Sequence, residues 1–579
     1  MSIIKTLEEE IKSIINDLGY ELETVTLQPS SRPEFGDYQI NDAMSLGKKH
    51  GKNPREIAEE IKTKLEEKTE FTNINIAGPG FINVTLTPHF LTESVNKLKD
   101  IKASNIDFCE KKKIIMDYGG ANCAKVLHVG HLRGNIGEAV KRLAVTLGNE
   151  VISDVHLGDF GAQAGLVCAR VQELYPDLIC FKEDYNGEEF DLPFDEKDLG
   201  TIYPDASKKS KEDEEFKEKA GIITLKIQNG HIGYTKLWEK AKDLSLIDIK
   251  NIYDTLNFTF DLWEGEMSAL KEIPSVLEKF DKLGLSYISD GALVVDVKED
   301  TDTKELPPMI LKKSNGAYIY ASTDLGTLES RMRDYKPDEV WYFTDNRQEL
   351  HFTQVFRGAR KAHIVDDNTN LEFLGFGTVN GKDGKPFKTR DGGVMTLNNL
   401  INITYEKILE KTKEGQAENV EETAKTIAIA AIKYADLLSF RSTDYIFDID
   451  KFCDVEGKTG PYLLYSTVRM KSLLRKAEEQ GISFNTYTNC NTDTEKQIIL
   501  NLLQLPKVLT KSYQLRSVNE ISEYLYKLTN SYNKFYAENK ILIEENEEKR
   551  ASWLTLSKVV LNTNLFLLDI LAIDVPEKM

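Results

Sequence analysis

Two histidines three residues apart could act together on one ligand. His128 and His131 flank Gly130 where a predicted strand, residues 113–118, gives way to an amphipathic helix of about residues 130–147. Residues at positions i and i+3 share a helix face, and helix N-terminal amides favour phosphate. Gly130 leaves room for an adenine ring against the backbone. The alternative is a pair of surface or packing residues, but the position at a strand-to-helix turn favours a nucleotide site.

A cation-bearing loop is the second segment that could do chemistry. Residues 381–393 contain three lysines and one arginine among several glycines. Such a loop can close over a triphosphate and stabilise the charge that grows on a leaving group. Taken alone, it would more often be a basic surface hairpin. Its place directly after the last predicted strand favours the phosphate interpretation.

A parallel sheet would bring these two segments together. Strand and helix patterns alternate on both sides of an acidic, lysine-rich interruption, and ligands bind at the carboxyl ends of parallel strands. We therefore predict a Rossmann-like α/β catalytic domain over residues 107–395, with a partly helical, exposed insertion at about 171–257. The predicted strands are 113–118, 150–156, 317–320, 339–344 and 371–378, and the predicted helices are 130–147, 323–335 and 349–362.

The flanking regions have different patterns. Residues 1–106 predict a small α+β domain: a helix at 3–18, a helix capped by Asn53 before Pro54, and strands around the Gly-Pro-Gly turn at 78–80. Beyond residue 396 strand signals nearly vanish, and long helical periodicity predicts an all-α bundle over 396–579. The clearest predicted helices there are 424–438, 462–476 and 553–571.

Composition excludes several classes of protein. The chain has 579 residues, enough for two to four domains, and a net charge of −20. That charge argues against a general nucleic-acid coat, although local basic faces on an acidic body remain compatible with it. The six cysteines form no Cys-x-x-Cys pair, so no metal site and no disulfide framework is predicted. Without a membrane-spanning run or a signal peptide, the cytoplasm is the expected location.

The histidine-bearing segment and the cation-bearing loop resemble two motifs of class I aminoacyl-tRNA synthetases. Residues 128–131 resemble the HIGH signature, and residues 381–393 resemble the KMSKS loop. With Arg390 aligned on the final serine, Pro386 and Thr389 stand where the two lysines belong, and whether Lys385 or Lys388 contacts phosphate stays open. In the arginine-specific branch a lysine just before HIGH substitutes, and Lys125 stands there. The resemblance implies ATP contacts and catalytic roles for His128, His131, Lys125 and Lys388, with further ATP contacts from Gly130, Phe387 and Arg390.

Nearly the whole chain resembles arginyl-tRNA synthetases, most closely at 117–122, 155–161, 320–324 and 345–352. A guanidinium presents five donors and needs acceptor oxygens. By family position, Asp324 and Glu266 would accept from it, although Asp324 alone could equally be a helix cap. The resemblance implies that the arginine site also includes Asp117, Asn122, Tyr320 and Gln348.

Two regions resemble tRNA-binding parts of the same family. Tyr462 and Tyr465 lie three apart in a segment that resembles the anticodon-binding bundle, and such rings can stack on splayed bases. Aromatic core packing is the competing interpretation. The N-terminal domain resembles the family's domain that touches the tRNA elbow, with Phe81 and Asn83 as candidate contacts.

The resemblance implies ligation of L-arginine to tRNA(Arg). ATP and Mg²⁺ would be used to form arginyl-adenylate, tRNA would be required for that step, and the terminal 2′-hydroxyl would take the arginyl group. A cytoplasmic monomer without membrane contact is expected. Two alternatives remain: a HIGH-type nucleotidylyltransferase acting on a small molecule, and a non-catalytic tRNA-binding paralogue. Aminoacylation of total tRNA with each labelled amino acid separates the three.

Overall fold

The computed structural model describes residues 2–30, 32–99, 111–385, 387, 395–412 and 419–579. Along these ranges the chain forms a small α+β region, a parallel α/β region interrupted by helices, and a C-terminal run of helices. The predicted fold class is confirmed. The predicted boundary between residues 106 and 107 lies outside the described residues, and the domain limits stay predictions.

The N-terminal region is an antiparallel sheet with the strand order β1-β2-β4-β3, covered by helices. Asn53 caps the third helix as predicted, because its Oδ1 accepts a hydrogen bond from the Arg55 amide at 3.0 Å. The elements are β1 (Gln28–Pro29), β2 (Tyr38–Ile40), β3 (Phe71–Ala77), β4 (Phe81–Leu86), α1 (Ile3–Asp17), α2 (Ala43–His50), α3 (Pro54–Leu65) and α4 (Pro88–Lys97).

The central region is built on a four-stranded sheet with the order β11-β10-β5-β6, in which every neighbouring pair is parallel. β7, β8 and β9 form a separate three-stranded sheet. The strands of the whole central region are β5 (Lys113–Asp117), β6 (Glu150–Asp154), β7 (Ser286–Ser289), β8 (Ala292–Val295), β9 (Met309–Lys312), β10 (Glu339–Tyr342), β11 (Asn370–Phe373) and β12 (Val379–Asn380). Its helices are α5 (Gly134–Thr146), α6 (Ala162–Leu174), α7 (Glu196–Glu212), α8 (Glu214–Gln228), α9 (Ile232–Thr255), α10 (Ile273–Lys282), α11 (Tyr320–Asp334) and α12 (Glu349–Lys361).

The register of this sheet brings its carboxyl ends level. Asp117, at the end of β5, lies opposite Asp154 of β6 and Tyr342 of β10. All four residues of β10 are buried, as expected for a central parallel strand covered on both faces. Side chains that follow these strands therefore meet along one edge, where a ligand can contact several of them at once.

The acidic insertion is helical, as predicted, but it is less exposed than predicted. On α7 the apolar residues Leu199, Ile202 and Ala206 recur every three or four positions and are buried in a shared core. On α9, Trp238 is fully buried and its Nε1 donates a hydrogen bond to the Asp159 carbonyl at 2.7 Å. The charged residues cover only the outer faces of helices that pack onto the α/β core.

Residues 317–320 do not form the predicted strand. Tyr320 is instead the first residue of α11, and Tyr318 makes a single bridge to Lys312. A β-branched and aromatic tetrapeptide favours extended structure locally, but helix formation continues back to Tyr320. This change turns Tyr320 and Asp324 into residues one turn apart on one helix face.

The C-terminal region is helical throughout its predicted segments. A short parallel pairing, Val379–Asn380 with Tyr445–Ile446, joins it to the strand that precedes the loop at 381–393. No helix among the described residues is long and apolar enough to cross a membrane. The elements are α13 (Leu397–Thr412), α14 (Val420–Leu437), β13 (Tyr445–Ile446), α15 (Ile449–Phe452), α16 (Gly460–Glu479), α17 (Asp493–Leu502), α18 (Leu505–Leu515), α19 (Asn519–Glu538) and α20 (Glu547–Ile570).

Candidate active site

The paired histidines lie on one tight turn. A 3-10 turn, Val129–Arg133, leads into α5, and His128 caps it, because its Nδ1 accepts a hydrogen bond from the Gly130 amide at 3.0 Å. His131 Nδ1 lies 3.1 Å from both the amide nitrogen and the carbonyl oxygen of His128. The two ring centroids are 4.2 Å apart. The imidazoles therefore share one face, as their spacing predicts.

Both imidazoles are neutral at neutral pH. Burial is the main cause that lowers the pKa of His128. Burial, followed by the repulsion that a protonated His128 would exert, lowers the pKa of His131 to about 4. A neutral His128 whose Nδ1 accepts a hydrogen bond carries its proton on Nε2. That Nε2–H can donate to a phosphate oxygen without the cost of burying a second cation.

Gly130 makes room for the capping ring. A Cβ at this position would stand 2.7 Å from His128 Cε1 and 2.9 Å from His128 Nδ1. Any larger residue would displace the imidazole that caps the turn. The contact of adenine with the Gly130 backbone stays a prediction.

The segment that follows the cation-bearing loop pairs with the histidine turn. The Val129 amide donates to the Met395 carbonyl at 2.9 Å, and the Leu397 amide donates to the Leu127 carbonyl at 2.8 Å. Phe387 and Met395 are also joined, by a backbone hydrogen bond of 3.2 Å. Met395 therefore pairs with the histidine turn and Phe387 pairs with Met395, so the described residues on both sides of the loop lie near the histidines, in agreement with the predicted juxtaposition.

The loop cations have different surroundings. Lys382 Nζ lies 3.1 Å from an Asp448 oxygen and 3.2 Å from an Asp450 oxygen, so it is paired with the start of α15. Lys388 and Arg390, predicted to contact ATP, lie outside the described residues. Lys125 Nζ lies 5.1 Å from the centroid of the Tyr203 ring on α7.

Two carboxylates, Glu266 and Asp324, are predicted to accept hydrogen bonds from a guanidinium, and this role stays a prediction. Glu266 begins a 3-10 turn, Glu266–Lys271, and its Oε2 is buried without a hydrogen-bond partner among the described residues. Burial and then the negative charge of Asp324 raise the pKa of Glu266 to about 8. Asp324 Oδ2 lies 2.5 Å from His351 Nε2 on α12. A buried, unpartnered acceptor beside a second carboxylate suits a ligand that brings hydrogen-bond donors and positive charge.

The other predicted arginine contacts differ in their exposure and in their neighbours. Tyr320 is 57% exposed, and partial burial followed by the charge of Glu266 raises its pKa. Gln348 is exposed at the end of the turn that follows β10. Asn122 forms a bridge to Gly158, whose missing side chain leaves space for Asn122 Oδ1. All three come after strands or at a helix start on the carboxyl edge of the sheet.

Asp117 has a structural partner, in contrast to its predicted role as an arginine contact. Arg331 Nη2 lies 2.7 Å from Asp117 Oδ2 and 2.6 Å from Asp154 Oδ2. Burial, opposed by the charge of Arg331, raises the pKa of Asp117. Asp117, Asp154 and His156 have ligand atoms within 4.8 Å of one another, a spacing compatible with a metal ion. The Arg331 guanidinium already supplies the positive charge there, so we assign no metal to this group.

An aromatic and cationic face lies on the helical region. Tyr465 is 50% exposed, and the Arg469 guanidinium carbon lies 5.5 Å from its ring centroid and 4.8 Å from that of Tyr536. Tyr462 is held more tightly, since its hydroxyl accepts a hydrogen bond from Asn533 at 2.8 Å. Rings beside a guanidinium suit unstacked bases, although the tRNA contacts of Tyr462 and Tyr465 stay predictions.

Asn83 does not match its predicted role as a direct tRNA contact. Its side chain is 1% exposed, accepts from Gln39 Nε2 at 2.8 Å and donates to Asn75 Oδ1 at 3.1 Å. These bonds cross the strands and satisfy a buried amide. Phe81, at the start of β4, is half-buried against the turn at Gly78 and stays a candidate contact.

Sequence reasoning missed three residues of this site: Arg331, His351 and Tyr203. Arg331 could have been found from its spacing, because it lies two helical turns after Asp324 on α11 and therefore on the same helix face. His351 lies in one of the segments of close resemblance, but no spacing rule links it to Asp324. Tyr203 lies in the acidic insertion, where the charge pattern favoured a solvated face.

Three family models match consecutive parts of the chain. The model for the N-terminal domain of arginyl-tRNA synthetase matches residues 2–86, the class I (R) tRNA synthetase catalytic domain matches 94–449, and the DALR anticodon-binding domain matches 463–579. Proteins named Arginine--tRNA ligase from Agathobacter rectalis and Alkaliphilus oremlandii are 43% and 41% identical, with 100% of each chain covered.

Solved structures of arginyl-tRNA synthetases also match the chain over its full length. The arginyl-tRNA synthetase of Plasmodium falciparum matches with a TM-score of 0.80 at 25% identity, and that of Thermus thermophilus with 0.79 at 21% identity, each over 100% of both chains. The second of these likenesses concerns the fold alone. Together with the matched family models and the full-length relatives, they lead to one conclusion: the chain belongs to the arginyl-tRNA synthetase family of the class I aminoacyl-tRNA synthetases.

Proposed function

We propose that the protein joins L-arginine to tRNA(Arg) at the expense of ATP. The observation that carries this proposal is the Glu266 carboxyl: its buried Oε2 has no hydrogen-bond partner in the described part of the chain, and Asp324 stands close enough to raise its pKa. Two carboxylates match the fork of donors on a guanidinium. A substrate without a cation would leave the Glu266 acceptor uncompensated, which costs binding free energy.

In the first step, a carboxylate oxygen of arginine attacks the α-phosphorus of ATP, and pyrophosphate leaves. No side chain need act as a nucleophile, so the protein contributes position and charge stabilisation. His128 can donate from Nε2 to a phosphate oxygen, and Lys125 adds a cation beside the histidine turn. Mg²⁺ would neutralise phosphate charge, held mainly by the phosphates themselves.

In the second step, the 2′-oxygen of the terminal ribose attacks the arginyl carbonyl and AMP leaves. The exposed face around Tyr465 and Arg469 would bind anticodon bases, and the N-terminal domain would contact the tRNA elbow through Phe81.

Arginyl-adenylate formation would require bound tRNA. We place the protein in the cytoplasm as a monomer, with domains at 1–106, 107–395 and 396–579.

Aminoacylation of total tRNA with each of the labelled amino acids tests the proposal. We expect arginine alone to be transferred, and ATP–pyrophosphate exchange with arginine to depend on added tRNA. Transfer of another amino acid, or nucleotidyl transfer without tRNA, would contradict it. Sedimentation of the purified protein checks the monomer.

A further inference from the structure

The helical insertion supports the loop that carries Lys125. Ala124 has a left-handed backbone with φ of 59°, which is uncommon for a residue other than glycine. Its amide donates a buried hydrogen bond of 2.8 Å to Ser245 Oγ on α9. This bond stabilises the unusual backbone directly before Lys125.

A second insertion helix approaches the same loop. A Cβ placed on Gly200 of α7 would lie 3.6 Å from Val126 Cγ2, an ordinary packing distance. One turn further along α7, the Tyr203 ring packs partly against the core beneath the insertion. Its centroid lies 5.1 Å from Lys125 Nζ, within the range in which an ammonium is attracted to a ring face.

The positive charge of Lys125 acts on both halves of the site. Burial is the main cause that lowers the pKa of His128 and of His131, and the charge of Lys125 lowers both further. The same charge opposes the rise in the pKa of Glu266, which is due mainly to burial. Tyr203 in turn contributes to the raised pKa of Tyr320, after burial and Glu266. The direct contact of the Tyr203 ring is with Lys125, and its effect on Tyr320 is electrostatic.

We propose that Tyr203 is a positioning residue for Lys125. The ring on α7 holds the ammonium beside the histidine turn, while Ser245 on α9 fixes the backbone from which the lysine extends. A lysine has four rotatable side-chain bonds, so a preformed position reduces the entropy lost when it contacts phosphate. The insertion then has a function in nucleotide binding. This inference rests on the proposed phosphate contact of Lys125.

The test compares Tyr203→Leu with Tyr203→Phe in tRNA-dependent ATP–pyrophosphate exchange. Leucine keeps apolar volume but removes the ring, so kcat/KM for ATP should fall about three- to tenfold. Phenylalanine keeps the ring face and should stay within about twofold of the parent. The KM for arginine should be unchanged in both. Equal losses in both variants, or no loss in Tyr203→Leu, would overturn the proposal.

Tyr185→Leu is the matched control. Tyr185 also lies in the insertion, but its hydroxyl donates to the Glu188 carbonyl and its ring packs on Phe190, away from Lys125. This variant should keep parental kcat/KM for ATP. If it loses as much as Tyr203→Leu, general loosening of the insertion explains the effect and the proposal fails.

A double-mutant cycle with Lys125→Met separates this inference from the proposed function. In the Lys125→Met background, Tyr203→Leu should lower kcat/KM for ATP by less than about twofold, because the contact between the Tyr203 ring and the lysine is already absent. An undiminished cost there would show that Tyr203 acts elsewhere. If Lys125→Met leaves the rate of ATP–pyrophosphate exchange unchanged, the proposed contact of Lys125 with phosphate is wrong, and so is the inference that rests on it. If Lys125→Met is impaired while Tyr203→Leu is not, only the role of Tyr203 is wrong.

Discussion

Two carboxylate pairs in the central region have similar chemistry and different surroundings. At the ends of β5 and β6, Asp117 and Asp154 share Arg331, with oxygens 2.7 and 2.6 Å from its Nη2. Near the start of α11, Glu266 and Asp324 have no such guanidinium among the residues that the structure describes, and Glu266 has a pKa of about 8. Buried carboxylates need a cation or hydrogen-bond donors. The first pair is therefore completed by the fold, whereas the second keeps an unpartnered buried oxygen, within the described residues, that our proposal assigns to an external guanidinium.

The largest effect should come from breaking the completed pair. Arg331→Met would leave two buried carboxylates without their cation, at a cost of about 3–5 kcal/mol in the free energy of unfolding. Thermal unfolding followed by circular dichroism measures the loss. Arg333→Met, two residues along the same helix, removes a half-exposed guanidinium and should shift the midpoint little. Equal shifts in the two variants would mean that Arg331 has no special structural role.

The receptor pair should respond through substrate binding. At pH 9, where Glu266 is mostly ionised, Glu266→Gln removes one charged acceptor, so the KM for arginine should rise about 10- to 100-fold, as expected for a lost charge-assisted hydrogen bond. The KM for ATP should change far less, and the same split is expected for Asp324→Asn. Glu264→Gln, two residues away and exposed, is the control. Parallel changes in both KM values would argue against a guanidinium site.

The pH dependence of arginine binding should distinguish the pairs further. With a pKa of about 8, Glu266 is mostly protonated at pH 7 and mostly ionised at pH 9. Because a guanidinium binds the carboxylate form, the KM for arginine should fall about tenfold between these values. Glu266→Gln should remove that fall, while any titration of the substrate itself remains in both proteins. A parental profile as flat as that of the variant would contradict the assignment.

The smallest effect should come from the neighbour of Asp324. His351→Ala removes the 2.5 Å contact between His351 Nε2 and Asp324 Oδ2. Asp324 would then lose a positioning hydrogen bond, and the KM for arginine should rise about two- to tenfold. His351→Gln keeps a donor and should restore most of the binding. If glutamine behaves like alanine, the histidine acts through something other than this bond.

Local patterns predicted much of this arrangement. The histidine turn, its strand and its helix are neighbours in sequence, and helix periodicity, capping and strand composition act over a few residues. For the same reason Asn53 could be identified as a cap. The order of the three regions followed from changes in periodicity along the chain. These features depend on short-range chemistry that a single sequence displays.

Residues joined by tertiary contacts were harder to assign. Asp117 meets Arg331 across 214 positions, so its carboxylate looked available for a ligand. Asn83 is predicted to contact tRNA, but its amide is satisfied by Gln39 and Asn75 on strands that only the folded sheet brings together. In the insertion, Leu199, Ile202 and Ala206 were hidden among many charges, although they recur at helical spacing. Such outcomes depend on which surfaces meet, and composition does not determine that.

The short antiparallel pairing between Leu127–Val129 and Met395–Leu397 has a mechanical consequence. Both histidines and the exit of the cation-bearing loop are attached to one small ladder, and α13 continues directly from it. A displacement of α13 along its axis must either break two backbone hydrogen bonds or drag the imidazoles with it. Motion of α13 can therefore reach the two imidazoles through this backbone pairing.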